Sequence, residues 1–156
     1  EFGHPEWIDF PREGNGWSFD YCRRQWSLKD NGFLKYQWLN DFDHDMVHTC
    51  KKHKIFQQQM ANLMLMKAPE QTLCFARMDL FFVFNFHPSN SLQNVLVPVY
   101  SNSKEFVVEF TSDDEKYGGY NQIAHQVYPV KEFNGQRFVE LYIPARTAIV
   151  LREIKE

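Results

Sequence analysis

The chain has 156 residues, room for one ordinary domain or for one small domain with an attached segment. Its 44% hydrophobic and 24% charged residues exclude a disordered tail, and a formal net charge of -3 excludes a general pull towards nucleic acid or anionic membrane. No stretch reaches the roughly 18 consecutive apolar residues of a membrane-spanning helix.

Cys22, Cys50 and Cys74 are widely spaced, and none belongs to a C-x-x-C pair. Such a sparse, odd set fits free thiols in a reducing compartment better than a disulfide framework. With no signal peptide at its start and no Asn-x-Ser/Thr acceptor, the chain is expected in the cytoplasm. The unusual total is aromatic: 15 Phe, 7 Tyr and 4 Trp, with every Trp (Trp7, Trp17, Trp26, Trp38) in the first 38 residues. Aromatic rings serve cores by default. They also suit sugars, whose axial C–H faces stack on a ring while the hydroxyls seek polar edges.

Glu1 to Gly16 contains Pro5, Pro11, Gly3, Gly14 and Gly16 without a sustained period, which predicts a long loop. Loops of this length are usually functional or disordered. A short helix is expected after Ser18. The clearest helix follows, because Leu34, Trp38, Phe42 and Met46 repeat every four residues with Leu39 beside them. Asp30-Asn31-Gly32 offers a capped start, and the basic run Lys51 to Lys54 suits the C-terminal end of the dipole. That run and Arg23-Arg24 read as solvated faces.

From about Ala61 the period becomes two. Strands are expected at Asn62–Met66, Thr72–Arg77, Leu80–Phe86, Val95–Val99, Phe106–Phe110, Gln126–Val130, Arg137–Ile143 and Thr147–Arg152. Turn signals separate them, and Asn134-Gly135 is the strongest hairpin signal of all. Leu80–Phe86 is apolar on both faces, as a central strand covered on two sides would be. Eight short strands predict a mainly β fold, an antiparallel β-sandwich, preceded by a loop and helix that could not fold alone. That is the pattern of a larger protein cut within a domain.

Few constellations carry chemistry. Asp41-x-Asp43-x-Asp45 begins like a calcium loop, but Met46 replaces the turn glycine and Lys52 the bidentate glutamate. His44 and His48 are spaced to share a helix face, with no third metal ligand nearby except acids on a solvated face. Phe19 breaks a Gly-x-Gly-x-x-Gly, and neither a phosphate loop nor a nucleophile elbow occurs. No cofactor is implied. Glu1, Glu6 and Asp9 are close in sequence, but carboxylates on an unsupported loop are not held to catalytic tolerances. What remains is the aromatic-rich loop. Trp7 and Trp17 are candidate sugar platforms, with His4, Glu6 and Arg12 available to bond hydroxyls; packing of both indoles inside the fold is the other reading.

The string from Glu1 to Trp26, EFGHPEWIDFPREGNGWSFDYCRRQW, closely resembles a stretch of glycogen branching enzymes. Tyr36–Asp43, Leu80–Pro88 (LFFVFNFHP) and Pro144–Arg152 resemble the same family in the same order. The resemblance implies an α-amylase-type architecture, a (β/α)₈ barrel followed by an all-β domain. Residues 1–58 would be the end of the barrel and residues 59–156 the all-β C-terminal domain. The loop bearing His4, Glu6, Trp7, Arg12 and Trp17 would then border the active site, since such sites lie among the βα loops. The family's Asp nucleophile, Glu acid/base and second Asp belong to motifs absent here, so the chain alone is expected to be inactive. Implied partners are an α-glucan polymer and the preceding barrel, with neither nucleic acid nor membrane. Without the barrel, the helix should fold back on the β-domain and the first 20 or so residues should be irregular. An uncovered aromatic patch also invites self-association. Two other readings stay open: a stand-alone starch- or glycogen-binding module using Tyr100, Tyr117, Tyr120 or Tyr128, and a segment of a related hydrolase or debranching enzyme.

Overall fold

The computed structural model describes residues 2–57, 60–100 and 102–155. It contains eight strands: β1 (Asn62–Lys67), β2 (Thr72–Arg77), β3 (Leu80–Asn85), β4 (Leu92–Pro98), β5 (Glu105–Thr111), β6 (Val127–Phe133), β7 (Gln136–Ile143) and β8 (Thr147–Glu153). Each lies where the alternation predicts it, with ends moved by no more than three residues. The strand order is β1-β2-β3-β8-β5-β6-β7-β4, and every pairing is antiparallel.

β6 is the corner between two layers. Val127–Pro129 pair with β5, whereas Val130–Phe133 pair with β7. Pro129, which has no N–H to give a ladder, sits where the strand changes partner, and Val130 N–H donates to Lys104 O at 2.8 Å. The two layers face each other across one core. Cys74, Phe81, Val83, Phe106, Ile149 and Leu151 come from one layer, and Val95, Val97, Val139, Leu141 and Ile143 from the other. Each such side chain contributes about 1.5–3 kcal/mol by leaving water. The hairpin between β6 and β7 turns at Asn134 (φ 50) and Gly135 (φ 73), the paired positive φ of a type I′ turn.

The one α-helix among the described residues, α1, runs Tyr36–Lys52. It starts later than Asp30-Asn31-Gly32 suggested, because Asn31 is used up in a preceding turn. Its Oδ1 accepts Phe33 N–H at 3.0 Å and its carbonyl accepts Leu34 N–H at 3.0 Å. The expected helix after Ser18 is also absent. Ser18 Oγ accepts Asp20 N–H at 3.2 Å, a local bond that competes with helix, and the segment forms turns flanked by single 3₁₀ turns at Glu13–Asn15 and Trp26–Leu28.

The helix folds back on the β-domain. Phe42 lies 5.2 Å from Phe110 and 5.4 Å from Tyr117, while Cys50 joins Ile55, Leu80, Phe82 and Val150. Met46, expected in the stripe, is 37% exposed. Its neighbour Asp45 makes the contact instead, accepting Tyr117 Oη at 2.6 Å and Lys116 Nζ at 2.9 Å. The basic run at the helix end is not merely a solvated face. Lys52, His53 Nε2 and Arg152 Nε all reach the Glu109 carboxylate, the last two at 2.9 and 2.8 Å, and His53 Nδ1 lies 3.3 Å from Asp79.

The segment after β5 is organised by Asp113, which is 3% exposed. Its Oδ1 accepts Tyr120 N–H at 3.2 Å, and its Oδ2 accepts Ile123 N–H at 3.0 Å and Gln122 N–H. Gly118 turns beneath the Trp38 indole at φ 79, and a Cβ on Gly119 would stand 2.1 Å from Asp113 O.

Two outcomes follow for stability. Burial alone would raise the Glu109 carboxyl, but hydrogen bonds from Lys52, His53 and Arg152 outweigh it and hold it at about 2. A carboxyl depressed in the fold contributes fully above its ordinary 4.5 and loses the contribution as pH falls towards about 2. Glu109→Gln should therefore cost about 2 kcal/mol at neutral pH, with the gap to wild type closing below pH 4.5 in urea titrations. Gly119→Ala should cost about 2–3 kcal/mol in the same assay, more than Gly135→Ala at an open turn.

Candidate functional site

The N-terminal loop is held at its base and open at its rim. Phe2 is 1% exposed, packed at 5.2 Å on Trp26 and 6.4 Å on Tyr36. The His4 ring bridges the strands of the loop: Nε2 accepts Gln25 N–H at 3.1 Å, which leaves the ring hydrogen on Nδ1, 3.2 Å from Glu6 O. Gln25 Nε2 donates to Glu6 Oε2 at 2.5 Å, and Asp9 N–H donates to Tyr21 O at 3.1 Å. Both contacts tie the outgoing chain to the returning one.

Beyond that base, Asp9 organises a tight turn. Arg12 meets it with two bonds, Nε to Oδ1 at 2.9 Å and Nη2 to Oδ2 at 3.2 Å, and Asn15 Nδ2 adds a third at 3.0 Å. These bonds from Arg12 and Asn15 hold the Asp9 carboxyl below its usual range. Arg12 N–H donates to Asn15 Oδ1 at 3.0 Å, and Gly16 and Trp17 close the turn at φ 62 and 59. Glu6, Trp7, Asp9, Arg12 and Tyr21 line a cleft of about 520 Å³.

The structure thus brings Glu6, Trp7 and Arg12 to one cleft and places His4 behind it as a brace. Trp17 stands outside the cleft. Both indoles are solvent-facing, Trp7 83% and Trp17 66% exposed, so neither is buried under the helix. Tyr21 belongs to the cleft and was not anticipated; it sits in an aperiodic segment, and only the loop's return past Asp9 brings it to Trp7. Glu1 lies outside the described residues. Glu6 and Asp9 are each bonded within the loop, and the arrangement is suited to holding a ligand against an aromatic face. Of the tyrosines on the β-domain, Tyr128 is buried with its hydroxyl on Ala124 O at 2.7 Å, and Tyr117 is committed to Asp45. Tyr100 and Tyr120 are exposed.

No helix among the described residues is long and apolar enough to cross a membrane. Comparison with known proteins matches residues 65–153 to the alpha amylase C-terminal all-beta domain. The 1,4-alpha-glucan-branching enzyme of Yarrowia lipolytica is 40% identical over 96% of this chain, and that of Saccharomyces cerevisiae is 39% identical over 97%. The enzyme of that name from Solanum tuberosum is 38% identical over 98%. The chain spans 22%, 22% and 18% of the length of these three relatives. A crystal structure of the cyclomaltodextrin glucanotransferase CldA superposes on 94% of this chain and 27% of its own, with TM-score 0.49 and 12% identity. The family match covers β2 to β8 and all but the first residues of β1, and the chain belongs to the alpha-amylase C-terminal all-beta domain family.

Proposed function

We propose that this chain is the C-terminal part of a 1,4-alpha-glucan branching enzyme, the part that follows the catalytic barrel. The observation that carries the reading is likeness at 38–40% identity to enzymes of that name across 96–98% of this chain, the loop and helix included. In this reading residues 1–58 complete the barrel, and residues 59–156 form the β-domain that supports it. The parent reaction cleaves an α-1,4 link through a covalent glycosyl-enzyme and transfers the chain to a 6-hydroxyl. That chemistry needs two carboxylates placed across one sugar. In this reading those acids belong to the preceding barrel, while Glu6 and Asp9 are engaged by Gln25, Arg12 and Asn15 in shaping the loop.

The loop serves as the rim of the active site. Trp7 stacks on a glucose ring, Glu6 and Arg12 bond its hydroxyls, His4 holds Glu6 in place, and Trp17 offers a second platform outside the cleft. Free Cys22, Cys50 and Cys74 favour the cytoplasm. Exposed Phe10, Phe19, Phe33 and Phe86 mark where the barrel rests, and the same surface drives self-association when the barrel is missing.

Two measurements test the reading. Incubated with amylose, the chain should leave iodine absorbance unchanged, while the coding sequence upstream of Glu1 should encode a barrel with the family's acids. Lost iodine stain, or an unrelated upstream domain, would sink the proposal. In native gels containing glycogen the chain should be retarded. Trp7→Ala and Arg12→Ala should each weaken retardation several-fold, about 1 kcal/mol of binding, with a smaller effect from Trp17→Ala. Unaltered mobility of the wild-type chain in glycogen would remove the loop from substrate binding.

A further inference from the structure

A second cleft, of about 530 Å³, opens on the β-domain between the loop after β3, the loop after β5 and the turn before β8. Ser89, Ser91, Ser112, Tyr120, Gln122 and Arg146 supply its polar and aromatic lining. Two exposed residues of the lining, Tyr120 and Arg146, stand on fixed backbone. Tyr120 is 79% exposed, yet its N–H is bonded to buried Asp113, and Gly119 before it is pressed against Asp113 O. Arg146 adopts φ 56, a conformation that costs a non-glycine residue about 1–2 kcal/mol. It is locked there by its N–H on His87 O at 3.2 Å and by Ala145 N–H on Ser91 Oγ at 3.1 Å.

The chemistry of the lining selects the ligand. The Arg146 guanidinium has no carboxylate partner among the described residues. An anion would meet that single cation in a cleft whose lining also includes Asp113. A neutral polyol meets the exposed Tyr120, a planar donor fork, the Gln122 amide, whose Oε1 accepts Tyr142 Oη at 3.3 Å and whose N–H groups remain to donate, and three serine hydroxyls. Ser91 and Ser112 each accept one backbone N–H and keep their own proton to give, a donor-rich set that sugar hydroxyls satisfy. We propose that this cleft binds an α-glucan segment, with one pyranose ring on Tyr120 and its hydroxyls bonded by Arg146, Gln122 and the serines. The choice of an α-glucan rests on the branching-enzyme reading. The site is separate from the Glu6–Trp7–Arg12–Tyr21 cleft, and it gives the β-domain a hold on polymer that does not pass through the active site.

The test is a titration of the isotope-labelled chain with maltoheptaose, followed by amide NMR. Amides of Ser89, Tyr120, Gln122 and Arg146 should shift together. Tyr120→Ala should weaken binding read from those signals about tenfold, Tyr120→Phe should preserve it, and Arg146→Gln should weaken it several-fold. Trp7→Ala should leave these shifts unchanged. Shifts confined to residues 6–21, or persisting unaltered in Tyr120→Ala, would overturn this site while leaving the glucan reading intact. No shift anywhere at millimolar sugar would overturn both.

Discussion

β3 is apolar on both faces, and the rest of the arrangement follows from the need to cover both. Phe81 and Val83 point into the core between the layers, whereas Leu80 and Phe82 point the other way. α1, Ile55 and the ring of Phe110 close over the Leu80 end of that outer face. Towards the other end, Phe75, Phe82, Phe84 and Phe86 form a ladder of stacked rings, with Phe84 and Phe86 5.4 Å apart and nearly parallel. Phe86 is 59% exposed, and Leu63 and Met66 of β1 continue the apolar surface beside it. One helix is too narrow to shield a whole sheet. A face of this kind calls for a second covering layer, which is the role the proposed barrel would fill.

The contact between helix and sheet mixes apolar and ionic parts, and each does a different job. Phe42 against Phe110 and Tyr117 supplies burial, which is non-directional. The Glu109 cluster at the helix C-terminus and the Asp45–Tyr117–Lys116 group near its middle fix its axial position, because hydrogen bonds require geometry. Burial raises the Tyr117 hydroxyl first and its bond to Asp45 adds to this, pushing it to about 12, so it remains a donor throughout the physiological range. Trp38 over Gly118 then connects the start of the helix to the Asp113 loop. Through Phe2 on Tyr36 and Gly3 beside Leu39, the same helix also anchors the N-terminal loop.

Much of this was legible in the sequence where one period governs the chain. The alternation of Val139, Leu141 and Ile143 against Phe138, Glu140 and Tyr142 located β7, and Asn134-Gly135 located its hairpin, because those positions answer to local rules. The helix start was misplaced because Asn31 has two uses for its polar groups, a cap or a turn, and no local rule ranks them. Ser18 posed the same choice. The long-range ion cluster was invisible for a different reason. Lys52 and Glu109 are 57 residues apart, and on a sequence each is simply another charge. The site was legible by residue type but not by geometry: Trp7, Glu6 and Arg12 converge, whereas Trp17 is turned away by the positive-φ pair it forms with Gly16.

The two clefts are built by the same device, a buried or half-buried aspartate that collects donors from a loop and leaves an aromatic ring free at the rim. Asp9 gathers Arg12 and Asn15 and leaves Trp7 outside; Asp113 gathers three backbone N–H groups and leaves Tyr120 outside. A carboxylate satisfied in this way stiffens the loop that carries the ring. Stiffness matters for weak, repetitive ligands. Each stacked ring contributes little alone, and any ordering of the loop on binding would consume it. If both proposed sites bind, two pre-ordered platforms on one chain would let a polymer gain from being held at both. In the proposed reading, that logic suits a β-domain that would retain glucan beside the active site while taking no part in the bond-breaking step.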